Sequence, residues 1–175
     1  MSTEAMSLAV YPGSFDPVTL GHLNIIDRAS RLFDRLIIGV GVNYEKSPWF
    51  SSEERCQLIR ESIAVLGRDN IDVQIYEGLT VRFVQQVGAK IMVRGVRPIT
   101  DIPAELTMMM ANRRLAPDVE TLFLIADGEL AHVSSSLIKE IAGVAEEEVL
   151  RSFLSPPVIK AVRQKITSRK NPQPE

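Results

Sequence analysis

The chain reads as an α/β protein with a Rossmann-like, doubly wound parallel sheet carrying helices on both faces. Three observations predict this fold. Short runs rich in Ile, Val and Leu alternate with segments whose apolar residues recur every three to four positions. Gly, Pro and Ser turn signals separate the two kinds of segment. The length of 175 residues fits one domain able to bury a core on a single sheet. One domain is therefore expected over residues 1–175, with an ordered core over about 8–166 and a polar, Pro-containing tail over 168–175 that frays.

Taken in order, Leu8 to Tyr11 is a short strand running into Pro12-Gly13. From Leu20 the residues Leu23, Ile25, Ile26, Ala29, Leu32 and Phe33 fall at helical spacing. Arg35 to Val42 is a second strand, whose Gly39 and Gly41 admit close approach of a backbone or ligand. A polar loop from Asn43 to Phe50 carries Lys46. Ser51 followed by Glu54 is a capping box opening a helix that runs to about Leu66, with Gly67 as its stop signal. Ile71 to Tyr76 is the third strand, and Thr80 to Val87 a short helix ended by Gly88. Lys90 to Val93 is the fourth strand and delivers Arg94 at its carboxyl end. A helix over Ala104 to Leu115 precedes the strand Thr121 to Ile125. Ser134 to Ser136 then open a helix over Leu137 to Ala142, and Val158 to Ile166 is a terminal amphipathic helix. Strands alternating with helices imply right-handed crossovers, with ligands bound beyond the strand carboxyl ends.

Composition narrows the function classes. A hydrophobic fraction of 45% with 24% charged residues is ordinary for a globular protein and argues against disorder. A net charge of -2 supplies no bulk attraction to nucleic acid or anionic membrane, so phosphate binding has to come from locally placed basic groups and a small ligand is expected. Cys56 is the single cysteine, which excludes an internal disulfide framework and a cysteine-rich zinc site and fits a reducing, cytoplasmic address. Met1 to Met6 carry acidic Glu4 and no basic leader pattern, and no apolar run reaches the ~18 residues of a membrane span, so neither export nor insertion is expected.

The segment Tyr11-Pro12-Gly13-Ser14-Phe15-Asp16-Pro17-Val18-Thr19-Leu20-Gly21-His22 lies between the first strand and the first helix. A helix amino terminus there offers unpaired N–H groups and a positive dipole end to an anion. Gly13 and Gly21 permit close backbone approach, and His22 can donate to a phosphoryl oxygen. Neither a G-x-G-x-x-G turn at this first loop nor a P-loop sequence is present, which disfavours two common nucleotide folds. Lys46 reads either as a phosphate-binding cation or as a solvated loop lysine. Arg94-Gly95-Val96-Arg97 sends two guanidinium groups off a strand end together, suited to bidentate recognition of phosphate. Glu105 reads as a ligand contact or as a solvated helix glutamate. In Val133-Ser134-Ser135-Ser136-Leu137-Ile138-Lys139, three hydroxyls at a helix start cap the helix or hold β- and γ-phosphates. Met108-Met109-Met110 reads as packing, at a subunit contact, and Cys56 as a small buried hydrophobe.

Thr19-Leu20-Gly21-His22 matches the fixed positions of the (H/T)xGH signature of the nucleotidyltransferase superfamily. The blocks PGSFDPVTLGH, the Lys46 loop, RGVR, Asp101 to Glu105, MANRRLAP and VSSSLIKE stand in the order found in bacterial phosphopantetheine adenylyltransferases, which the chain resembles over roughly Leu8 to Ile166. The resemblance implies reversible, Mg²⁺-dependent transfer of adenylate from ATP to 4′-phosphopantetheine, giving dephospho-coenzyme A and pyrophosphate. It implies a catalytic set of His22, Lys46 and Arg94, and contacts from Ser14 to both ligands. Phe15, His22, Gly95, Val96, Arg97, Glu105 and the stretch Leu130, Ala131, His132, Val133, Ser134, Ser135 and Ser136 would surround ATP. Ser14, Lys46, Thr80 and Arg94 would hold 4′-phosphopantetheine, no side chain is assigned as a metal ligand, and a homohexamer is implied.

The chain departs from the family at Ala104, where members often carry an aromatic residue, and at Leu130-Ala131-His132-Val133, where aromatics often precede the serines. These positions bear on the adenine pocket, and His132 reads as a ligand contact or a surface residue. Two alternatives stand beside the leading reading: a small nucleotidyltransferase using nicotinamide mononucleotide or glycerol phosphate as acceptor, and a non-enzymatic nucleotide sensor.

Overall fold

The computed structural model describes residues 6–43, 47–96 and 102–170. Five strands, β1 (Leu8–Gly13), β2 (Arg35–Gly41), β3 (Ile71–Tyr76), β4 (Ile91–Val96) and β5 (Glu120–Ile125), form one sheet in the order β3-β2-β1-β4-β5. Every pairing is parallel. The helices are α1 (Leu20–Leu32), α2 (Ser52–Ile63), α3 (Thr80–Gln86), α4 (Ile102–Leu115), α5 (Ser135–Ile141), α6 (Glu147–Arg151) and α7 (Pro156–Lys170). The chain winds from β1 outward to β3, then returns across β1 to build β4 and β5, which is the doubly wound arrangement expected from the sequence.

Alternation along the strands assigns the two faces. Ala9 and Tyr11 of β1, with Leu36, Ile38 and Val40 of β2, pack into a core shared with Ile25, Ile26 and Ala29 of α1, Ile59 of α2, Ile138 of α5 and Val158 of α7. Val10, Ile37 and Met92 point the other way, onto Val81, Phe83 and Val84 of α3 and the Ala116–Val119 turn. Both faces are thus covered, and the central strands read as continuous apolar runs because each side chain is buried on one face or the other.

Local chemistry sets the ends. Ser51 accepts from the Glu54 N–H at 3.2 Å while Glu54 accepts from the Ser51 N–H at 2.7 Å, the capping box expected there. Gly67 adopts φ 58° at the end of the short 3₁₀ turn Ala64–Leu66 that closes the α2 segment, as its reading as a stop signal requires. Two helices differ from expectation. Helix α6 was not foreseen, since its five residues are too few to show a period. Helix α7 runs from Pro156, where the ring's fixed φ suits a first turn, to Lys170, a longer helix than the expected Val158 to Ile166; the rest of the expected frayed tail, 171–175, lies outside the described residues. Helix α4 has no buried residue within the single chain, and Met110 is 69% exposed, so any packing of these methionines lies at a subunit contact, as the sequence reading has it.

Gly39 admits a close neighbour, as expected, but that neighbour belongs to the protein. A Cβ on Gly39 would lie 2.7 Å from Cε1 of Phe83, whose ring stacks on Tyr76 at 4.6 Å. Gly39→Ala is expected to displace this stacked pair and cost about 1–3 kcal/mol, the range for overpacking a filled core. Urea unfolding monitored by circular dichroism measures it.

Candidate active site

Strands β1 and β4 pair in register only at Ala9↔Ile91 and Val10↔Met92, then part. The chain reverses direction across the sheet between these two strands, and their separation opens a crevice at the carboxyl ends, where doubly wound proteins bind ligands. Three cavities ring this end of the sheet.

The first, of roughly 160 Å³, is lined by Thr19, Gly21 and His22 at the start of α1, Gly95 and Val96 at the end of β4, and Leu130, Val133, Ser134 and Ser135 before and at the start of α5. His22 is held there by a second capping box. Its N–H donates to Thr19 Oγ1 at 3.4 Å, and the Thr19 N–H donates to His22 Nδ1 at 3.1 Å. A ring nitrogen that accepts from a backbone N–H cannot carry the ring proton, so the neutral imidazole holds its proton on Nε2. One motif thus starts the helix and selects a tautomer. Gly95 is fixed by packing, since a Cβ there would meet Ile25 Cγ1 at 2.9 Å and the Tyr11 hydroxyl at 3.1 Å. Burial pushes the Tyr11 phenol far above its ordinary range, with Arg94 opposing and Glu105 adding to the rise, so Tyr11 remains a neutral donor at this wall.

Phe15, expected at the nucleotide, sends its side chain into the core, so only its backbone is left to meet a ligand there. It is 1% exposed and meets Tyr11 and His22 edge-on, with ring centroids at 5.4 Å and 5.1 Å. Its φ of 48° is a left-handed conformation that a non-glycine residue adopts at a cost, held here by the ring packing. The ring supports the imidazole from beneath. The serines divide their roles: Ser134 Oγ accepts from the Leu137 N–H at 3.1 Å and caps α5, while Ser135 Oγ donates to the Pro17 carbonyl at 2.8 Å. Ser136 is exposed and lines the second cavity.

That second cavity, of roughly 420 Å³, lies between the β1–α1 loop, the β2–α2 loop and α5, and Ser14, Gly41, Asn43, Arg55 and Lys139 line it with Ser135 and Ser136. Asp16, 5% exposed, organises it. Its carboxylate accepts from the Trp49 N–H at 2.9 Å and the Phe50 N–H at 2.9 Å, and pairs with Lys139. Asp16 and Lys139 fall within the PGSFDPVTLGH and VSSSLIKE motifs, with no role evident from the sequence. Their spacing of 123 residues gave no local signal for an ion pair.

The third cavity, of roughly 150 Å³, opens on the other side of β4 and is lined by Thr80, Arg94, Glu105, Met108, Met109 and Asn112, among others. Arg94 Nε donates to Glu105 Oε2 at 2.8 Å and Nη2 to Glu105 Oε1 at 2.5 Å, while Nη1 reaches the Pro12 carbonyl at 3.3 Å. Burial alone lowers the Arg94 pKa, but the hydrogen bond and charge of Glu105 outweigh it and the net shift is upward. Two expected ligand contacts therefore face each other as a bidentate pair. Thr80 Oγ1 and the Tyr76 hydroxyl lie 2.9 Å apart beside them.

Of the residues singled out in the sequence, His22, Gly95, Val96, Leu130, Val133, Ser134 and Ser135 meet in the first cavity, Ser14, Ser135 and Ser136 in the second, and Thr80, Arg94 and Glu105 in the third. Ala131 and His132 line none of them; His132 is exposed and stacks edge-on against Phe153 at 5.7 Å. Lys46, Arg97 and Asp101 lie outside the described residues. Among the described residues, no three His, Cys, Asp or Glu side chains gather as a metal site, and no helix is long and apolar enough to cross a membrane.

The cytidylyltransferase-like family matches residues 10–141. The phosphopantetheine adenylyltransferase of Rhodopirellula baltica is 53% identical over 93% of this chain and 90% of its own length. That of a Synechococcus strain, JA-2-3B'a(2-13), is 46% identical over 90% of this chain and 97% of its own. The solved Plasmodium falciparum nicotinic acid mononucleotide adenylyltransferase, complexed with NaAD, superposes with a TM-score of 0.71 at 12% identity, covering 97% of this chain and 100% of that one, a likeness of fold. With a split between β1 and β4, a histidine and a serine-rich helix start facing one cavity, and this identity along nearly the whole length, the chain belongs to the cytidylyltransferase-like family and, within it, to the phosphopantetheine adenylyltransferases.

Proposed function

We propose that the chain transfers adenylate reversibly from ATP to the phosphate of 4′-phosphopantetheine, giving dephospho-coenzyme A and pyrophosphate, in coenzyme A synthesis. The observation that carries the site assignment is that His22, at the start of α1, and Ser134, at the start of α5, open onto one cavity beside the β1/β4 split. The acceptor phosphate is already a nucleophile, so the protein has to align two phosphates in line and offset charge at the α-phosphorus; no protein nucleophile and no covalent intermediate are required.

In this reading His22 donates through Nε2–H to the phosphoryl oxygen on which charge develops, with Nδ1 pinned by the Thr19 N–H. The backbone of Gly95 and Val96, the Leu130–Ser136 segment, Arg97 and Glu105 border ATP. Ser14, Lys46, Thr80 and Arg94 hold the acceptor. The Glu105 carboxylate fixes the plane of the Arg94 guanidinium before a ligand arrives.

Magnesium enters this proposal with the substrate as MgATP, where it would offset charge on the phosphates. The described residues offer no cluster to cage it, and the Asp16 carboxylate is occupied by two backbone N–H groups and Lys139. A homohexamer in the cytoplasm is part of the same proposal. In its support α4 presents Leu106 at 42%, Met108 at 56% and Met110 at 69% exposure, and edge strand β5 presents Ile125 at 57%, large apolar side chains that a second copy would cover. The unpaired Cys56 suits a reducing compartment.

Incubation with ATP, Mg²⁺ and each candidate acceptor should release pyrophosphate with 4′-phosphopantetheine and not with nicotinamide mononucleotide or glycerol phosphate; binding of ATP without release in every case would support a sensor instead. His22→Ala should keep ATP affinity, by calorimetry, while kcat falls on the order of 10²–10³, the usual cost of one well-aimed donor. Near-normal turnover would remove His22 from the mechanism. Arg94→Lys loses the fork that Glu105 orients, and the KM for 4′-phosphopantetheine should rise roughly 10- to 100-fold with the KM for ATP much less affected.

A further inference from the structure

Arg55 is 4% exposed, yet among the described residues it makes no ion pair. Its Nη1 donates to the Ser14 carbonyl at 2.7 Å and the Gly41 carbonyl at 3.0 Å, and its Nε to the Ser51 carbonyl at 3.3 Å. Its Nη2 has no hydrogen-bond partner among the described residues. Carbonyl partners satisfy donors but do not neutralise a charge, and a buried cation without a counterion is costly. The neighbouring part-buried charges are matched, Lys139 by Asp16 and Arg94 by Glu105. Glu53, two residues before Arg55, is exposed and forms no ion pair with it. Arg55 is the buried exception, and it lines the second cavity together with Lys139 and the hydroxyl-bearing residues Ser14, Ser51, Ser135 and Ser136.

We propose that Arg55 binds pyrophosphate: the second cavity receives the terminal phosphates of the nucleotide, and the Nη2 edge of the buried guanidinium balances their charge. Ser135 lines both the first and the second cavity, so a polyphosphate with its α-phosphate at His22 passes directly from one to the other. A planar guanidinium beside several hydroxyls and an ammonium is a donor set for a multiply charged phosphate and has no use for a neutral ligand. The same side chain pins the Ser14 and Gly41 carbonyls, so the anion meets a cation that is already oriented. This assignment rests on the adenylate-transfer reading and adds to it a residue and a direction for the leaving group.

Inorganic pyrophosphate is the probe, titrated calorimetrically into the full chain and into two variants. Ser52→Glu places a carboxylate on the cavity rim, at the first turn of α2 where an acidic residue is favourable, and supplies Arg55 with an internal counterion. It should weaken pyrophosphate binding, and raise the KM for pyrophosphate in the reverse reaction, roughly 10- to 100-fold, with 4′-phosphopantetheine binding unchanged. Arg55→Met should weaken pyrophosphate binding at least as much, and because Arg55 also pins the carbonyl of Ser14, the unchanged 4′-phosphopantetheine binding is read in Ser52→Glu; if Arg55→Met fails to fold by circular dichroism, Ser52→Glu alone decides. Pyrophosphate binding equal to the unmodified chain in folded Ser52→Glu overturns the assignment, as does a loss confined to 4′-phosphopantetheine, which would give the cavity to the acceptor. An unmodified chain that releases pyrophosphate in the forward assay but does not bind it sinks Arg55's role alone. Absence of release with every acceptor sinks the underlying reading.

Discussion

The early parting of β1 from β4 is the constraint on which the site depends. Two registered pairs hold these strands together at their amino ends, while β1 pairs with β2 along its whole length and β4 with β5 along its own. Full pairing between β1 and β4 would close the crevice over Tyr11 and Gly95. The sequence keeps it open by simple means. Pro12, which has no N–H to donate to a ladder, lies past the last β1–β4 pair, and Gly95 lets Ile25 and the Tyr11 hydroxyl approach the strand end. The helix that then begins at Leu20 does so at the edge of that opening.

Around the opening, charge is arranged before any ligand is present. Asp16 joins three segments far apart in the chain, because its carboxylate takes N–H groups from Trp49 and Phe50 on the β2–α2 loop and the ammonium of Lys139 on α5. Buried pairs of this kind contribute less to stability than their Coulomb attraction suggests, since desolvation offsets most of it. Their value lies in geometry. Losing any one partner would leave a buried charge exposed to a low dielectric, so the loops are held to a single arrangement. Arg94 with Glu105 does the same on the other side of β4.

Much of this was legible in the sequence. The 3.6-residue period placed α1, and Ser51 with Glu54 announced α2, because both signals are local and both depend only on backbone hydrogen bonding. The strand-to-helix loop from Tyr11 to His22, with its helix start at Thr19 to His22, was readable for the same reason. What escaped were relations between segments. Nothing near Arg55 in the chain shows that it reaches Ser14, 41 positions away, and nothing near Phe15 shows that its ring turns inward beneath His22. Short α6 carried too few residues to show a period, and what covers the exposed methionines of α4 is a relation beyond one helix that local spacing does not carry.

The Thr19–His22 capping box joins the two levels. A serine or threonine cap with glutamate three residues on is the common form, as at Ser51 and Glu54; here imidazole fills the glutamate's place. Glutamate would satisfy the same N–H and stabilise the helix start by a comparable amount, about 1 kcal/mol. It would also set a negative charge on the wall of the first cavity, opposing any phosphate near the amino end of α1. Histidine keeps the cap, adds no negative charge, and makes Nε2 the donor nitrogen of the ring. The helix therefore starts where it does for a reason internal to the fold, and the group that starts it is the one whose chemistry suits an anion.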